Sequence, residues 1–113
     1  MNKEQISAVK EAQVDTLGYK WAKELRLSYP KHDVKEIAQA LGAEILYEKP
    51  VEMVQVSRIS EYRVKTKQIV IFYREFERTA IAHELFHHLE KIRDVKLKGP
   101  EAETQAEIFS SHL

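Results

Sequence analysis

Residues 80–89 read Ala80-Ile81-Ala82-His83-Glu84-Leu85-Phe86-His87-His88-Leu89, and this stretch decides what the rest of the chain must supply. Ile81, Leu85, Leu89 and Ile92 recur at helical spacing, so residues 76–93 are expected to form one amphipathic helix. Residues four apart on such a helix lie one turn along it and about 40° apart around it. His83 and His87 therefore offer two imidazoles to one point beside the helix. Neutral imidazole nitrogen suits zinc, and a catalytic zinc keeps three protein ligands and one water. Glu84 projects from a neighbouring angle, where it can take a proton from that water as the water attacks a carbonyl. With 5 histidines in the chain, a shuffled sequence would hold this HExxH spacing about 0.03 times. The motif is therefore read as chemistry rather than as a solvated helix face.

A third ligand is required, and the last helix, expected over residues 101–113, offers Glu101, Glu103, Glu107 and His112. Glu103 and Glu107 are four apart and share a face. One can bind the metal while the other accepts a hydrogen bond from a ligand histidine and fixes its tautomer. Glu101 is better read as an acidic first turn favoured by the helix dipole. His88 lies about 100° around the helix from His87, so it is expected to pack or hydrogen-bond rather than to ligate. His32 is expected at the surface, and Trp21, with Leu17 and Leu25, in the core. Tyr62 is a candidate oxyanion stabiliser that nothing local singles out.

The flanking sequence reads as α+β. A helix is expected over 3–28, either continuous or divided into two shorter helices at Gly18. A second helix starts at Asp33, with Glu36 completing a capping box, and stops at Gly42. Strands follow at 43–48, 53–64 and 68–73, with Lys65-Thr66-Lys67 turning between the last two. In the last strand Ile69, Ile71 and Tyr73 share one face and Val70 and Phe72 the other. A strand apolar on both faces is central or doubly covered. The expected fold is one domain over 1–113: N-terminal helices, a small antiparallel three-stranded sheet, the HExxH helix, and a C-terminal helix carrying the third ligand.

At 113 residues with 43% hydrophobic and 32% charged side chains, the chain can bury a core without staples. Eighteen basic residues balance eighteen acidic ones, which disfavours nucleic acid and anionic membranes as partners. The absence of cysteine rules out disulfides, thiolate metal sites and a cysteine nucleophile. No run approaches the roughly 20 apolar residues of a membrane span, and the N-terminus lacks a signal-peptide core. The expected location is the cytoplasm.

Taken together, the segments 33–42, 68–71, 78–87 and Glu103-Thr104-Gln105-Ala106-Glu107-Ile108-Phe109-Ser110 resemble the ImmA/IrrE-type family of small regulatory zinc metallopeptidases. The last segment is similar to the family's E-x-(E/Q)-A-(N/D)-x-F-A pattern. The resemblance implies a zincin-like domain with one Zn2+ held by His83, His87 and Glu103, and with Glu84 as general base. Glu107 stands where the family commonly has Asn or Asp. It also implies hydrolysis of a peptide bond in a protein regulator, such as a helix-turn-helix repressor of a phage, mobile-element or stress circuit. The rival reading is a non-catalytic zinc-binding module that binds such a regulator. Intact Glu84 favours the enzyme; the end at Leu113, where family members usually continue, favours the module.

Overall fold

In a computed structural model, which describes residues 16–50 and 58–113, Thr16 opens the first of the described helices. Its hydroxyl oxygen accepts the Tyr19 N–H, satisfying one of the donors that a helix start leaves free. Helix α1 spans Leu17–Ser28; the expected residues 3–15 lie outside the described part. The described helix begins one residue before Gly18, which sits in its first turn. A Cβ there would lie 2.3 Å from the Gln105 carbonyl oxygen, so glycine is what allows the close approach of the last helix.

Helix α2 (Val34–Ala40) carries the expected capping box. The Glu36 N–H donates to Asp33 at 2.8 Å, and the Asp33 N–H to Glu36 at 3.2 Å. It ends at Gly42, whose φ of 88° is the left-handed conformation that glycine adopts without steric cost. Strands β1 (Glu44–Tyr47), β2 (Ser60–Arg63) and β3 (Gln68–Ile71) follow. Of the expected strand 53–64, residues 53–57 lie outside the described part.

The sheet order is β1-β3-β2, and it is mixed rather than antiparallel. β2 and β3 pair antiparallel as the turn at 64–67 dictates, but β1 runs parallel to β3, Ile45 opposite Ile69. Alternation of apolar residues is the same for either strand direction, so the pattern alone could not tell the two apart. β3 is central, and Ile69, Val70, Ile71 and Phe72 are all buried, as a strand apolar on both faces requires. Tyr73 leaves the strand and precedes a 3₁₀ turn (Arg74–Phe76).

Helix α3 (Glu77–Ile92) bears the HExxH motif, and helix α4 (Gly99–His112) closes the chain. α4 begins two residues before its expected start. Pro100 falls in its first turn, where a missing N–H costs nothing, so Gly99-Pro100 opens the helix instead of separating it from α3. Ile81, Leu85 and Leu89 are buried against the sheet and α2, whereas Ile92 is exposed at the helix end. Trp21 of α1 packs on Phe86 of α3, with ring centroids 5.1 Å apart, and Phe86 packs on Phe109 of α4 at 5.7 Å. This aromatic ladder sets α4 beside the motif helix. Among the described residues the architecture is α+β, four helices with a three-stranded mixed sheet.

Candidate metal centre

The two central residues of the motif, Leu85 and Phe86, are wholly buried. They pin the core side of α3 and thereby turn His83 and His87 toward an open cleft of about 1080 Å³. Across that cleft α4 presents Glu103. One of its carboxylate oxygens lies 2.9 Å from His83 Nε2 and the other 3.1 Å from His87 Nε2. The ligating atoms of these three residues all lie within 4.8 Å of one another. The sequence left Glu103 and Glu107 open as third ligand by spacing alone, and the fold separates them. Glu107 lies 2.9 Å from His83 Nδ1, on the side of the ring away from Glu103.

A matching carboxylate serves the second histidine: His87 Nδ1 is 2.8 Å from Glu90. Glu90 escaped the sequence reading, although its place three residues after His87 on one helix was a usable signal. The two outer carboxylates have a common consequence. A neutral imidazole has one N–H; donated from Nδ1 to Glu107 or Glu90, it leaves an Nε2 lone pair. Two such lone pairs then converge with the Glu103 carboxylate, an electron-rich set that a divalent cation would neutralise. Two nitrogens and one carboxylate are the donor chemistry of a catalytic zinc, with outer-shell carboxylates orienting the ligands. These residues could hold a metal ion, and they fit the expected Zn2+.

Glu84 lies beside them and is almost wholly buried. Burial, chiefly, pushes its carboxyl up from the usual range; the Ser60 hydrogen bond opposes this, as do the two histidines when they carry a proton, and the Glu103 carboxylate adds to the rise. The Ser60 hydroxyl donates to Glu84 Oε2 at 2.7 Å. Ser60 is 24 positions away on β2, and no local pattern could have announced it.

No protein-family model matches the chain, and no curated protein or solved structure does.

The remaining predicted residues fall elsewhere. Glu101 is exposed and outside the cluster, and His112 meets Tyr19 edge to face, ring centroids 4.9 Å apart. His32 is exposed and Trp21 buried, as expected. His88 points into the core, its ring wholly buried. Its Nε2 lies 2.8 Å from the Leu41 carbonyl, an acceptor, so that nitrogen carries the hydrogen. Burial pushes the pKa of His88 down, and the neutral ring accepts at Nδ1 from the Tyr62 hydroxyl, 2.7 Å away. Tyr62 has thus committed its hydrogen to His88. It stands in the cleft wall but does not hold that donor ready for an oxyanion. No helix among the described residues is long and apolar enough to cross a membrane.

Proposed function

We infer that the protein is a zinc-dependent metallopeptidase of the ImmA/IrrE type with a minimal zincin-like fold. It would act in the cytoplasm on an extended segment of a protein regulator. The observation that carries this reading is the convergence of His83 Nε2 and His87 Nε2 on Glu103, with buried Glu84 alongside. His83, His87 and Glu103 would hold the metal, with Glu107 and Glu90 fixing the two rings. The chemistry a bound zinc supplies is that of a Lewis acid, polarising a carbonyl and making water acidic near neutral pH. Glu84 receives the proton that the attacking water loses and returns it to the leaving amine nitrogen, the two halves of general acid–base work. A carboxyl raised by burial suits both halves, because its affinity for a proton lies nearer the working pH than that of an exposed glutamate.

The cleft supports a substrate class. Its wall is β2, an edge strand of the described sheet, and a peptide in extended form can pair beside such a strand without sequence demands. A folded domain cannot, so cleavage falls in a linker or a locally opened segment. A helix-turn-helix repressor is the regulator that the resemblance supplies. Co-expression with a helix-turn-helix regulator, where one is encoded beside it, followed by mass spectrometry, tests the reading. The expected result is a single cut that disappears with Glu84→Gln, in protein holding about one zinc per chain. Wild-type protein that retains no zinc after soaking would overturn the site. Zinc-loaded protein that copurifies with an uncut regulator would instead make it a binding module.

A further inference from the structure

Ser60 and Tyr62 are alternate residues of β2, so their side chains leave one face of the strand. Both meet α3. Ser60 donates to Glu84 and Tyr62 to His88, each at 2.7 Å. Two residues of strand advance roughly 6.4–6.8 Å, and four residues of helix about 6 Å. The two donors of β2 therefore match two acceptors one turn apart on α3. The second contact is anchored in turn, because His88 Nε2–H donates to the Leu41 carbonyl at the end of α2. The strand is thus held at a fixed height along the motif helix by a chain that ends on backbone.

We propose that Ser60 is a positioning residue for Glu84, an assignment that rests on the peptidase reading. The terminal torsion of a glutamate is broad and roughly two-fold, so burial alone does not decide which way its carboxylate faces. A hydroxyl donating to Oε2 does decide it, leaving Oε1 to face the reacting water. The side-chain hydrogen bond that Ser60 makes goes to Glu84 and to none of His83, His87 or Glu103. Its effect is confined to the orientation of the base.

Ser60→Ala and Ser60→Thr separate this role from a merely structural one. With a quenched fluorescent casein as probe, Ser60→Ala should lower kcat about 10-fold, the scale of one lost hydrogen bond to a charged group, with KM unchanged. Ser60→Thr, which keeps the hydroxyl and suits a strand, should restore the rate. Zinc affinity, measured by competition with a chromogenic chelator, should be the same in all three proteins. A second readout does not need activity. In metal-free protein labelled with 13C at glutamate, the Glu84 carboxyl resonance should move in Ser60→Ala and return in Ser60→Thr. An unchanged resonance in Ser60→Ala overturns the assignment. So does a rate loss carried by KM, or one accompanied by loss of zinc. A zinc-loaded wild type that cuts nothing defeats the peptidase reading, and the resonance still decides whether Ser60 orients Glu84.

Discussion

Replacing Glu84 by glutamine keeps the shape of the side chain and removes its basic oxygen. Glu84→Gln should therefore keep fold and zinc while hydrolysis falls by roughly 10²–10⁴. Equal rates for the two proteins would take Glu84 out of the mechanism. The carboxylates around the histidines divide by the nitrogen they face. Glu103 faces both Nε2 atoms, so Glu103→Ala should abolish tight zinc binding. Glu107 and Glu90 face the Nδ1 atoms, so Glu107→Gln and Glu90→Gln should weaken affinity by about 10–100-fold without abolishing it. Metal-competition titrations read all three variants. Abolition by Glu107→Gln with binding retained in Glu103→Ala would reverse the assignment. At this scale His83, Glu84 and His87 were legible because their geometry belongs to one helix. Glu103 needed the resemblance in addition, since spacing left two glutamates equivalent. Ser60 was illegible because a contact between a strand and a helix depends on the packing of the whole domain.

The helices were legible as elements because apolar period and caps are local. The capping box at Asp33 and the stop at Gly42 appear where the residues put them. What local pattern could not supply was the packing role of Gly18, the start of α4 at Gly99 and the direction of one strand. Gly18 reads as a breaker by propensity, yet its role is the approach of α1 to α4, a contact 87 positions distant. The Gly18 N–H donates to the Gln105 side chain at 2.8 Å. The consequence is a substitution whose sign opposes propensity. In a free helix Gly→Ala stabilises by about 0.5–1 kcal/mol. Here the new Cβ would press on the backbone of α4, and Gly18→Ala should instead destabilise by about 1–3 kcal/mol, the usual cost of overpacking. Because α4 carries Glu103, the same variant should also bind zinc more weakly. Denaturant melts and a metal titration check the two effects, and a stabilised variant would show that α4 yields without cost.

At the scale of the whole molecule, the two sides of the candidate centre come from different helices, α3 and α4, so a metal held there would be linked to the fold. Zinc at about 100 times its dissociation constant should stabilise the protein by about 2.7 kcal/mol, and a chelator should remove that gain. The pH dependence of the metal-free fold is separable once Glu84 is silenced. Burial raises Glu84, so its contribution is present below its unfolded value and lost as pH rises through the folded one. Burial lowers His88, which gives the opposite sense. Its contribution is present above the unfolded histidine value, near 6.5, and is lost as pH falls toward its folded value, because the unfolded chain binds the extra proton. In a Glu84→Gln host only His88, of the two shifted groups, still titrates. Metal-free Glu84→Gln should therefore lose stability between about pH 7 and pH 5 more steeply than Glu84→Gln/His88→Gln, since histidines common to both proteins cancel in the comparison. The measurement is a set of denaturant melts across that range, read as a difference in slope rather than in absolute stability. Whatever His88→Gln costs by disturbing the contacts to Tyr62 and Leu41 shifts its curve without giving it a slope. Parallel curves would mean that the buried ring keeps its proton on folding, and that the hydrogen between Tyr62 and His88 lies on the histidine.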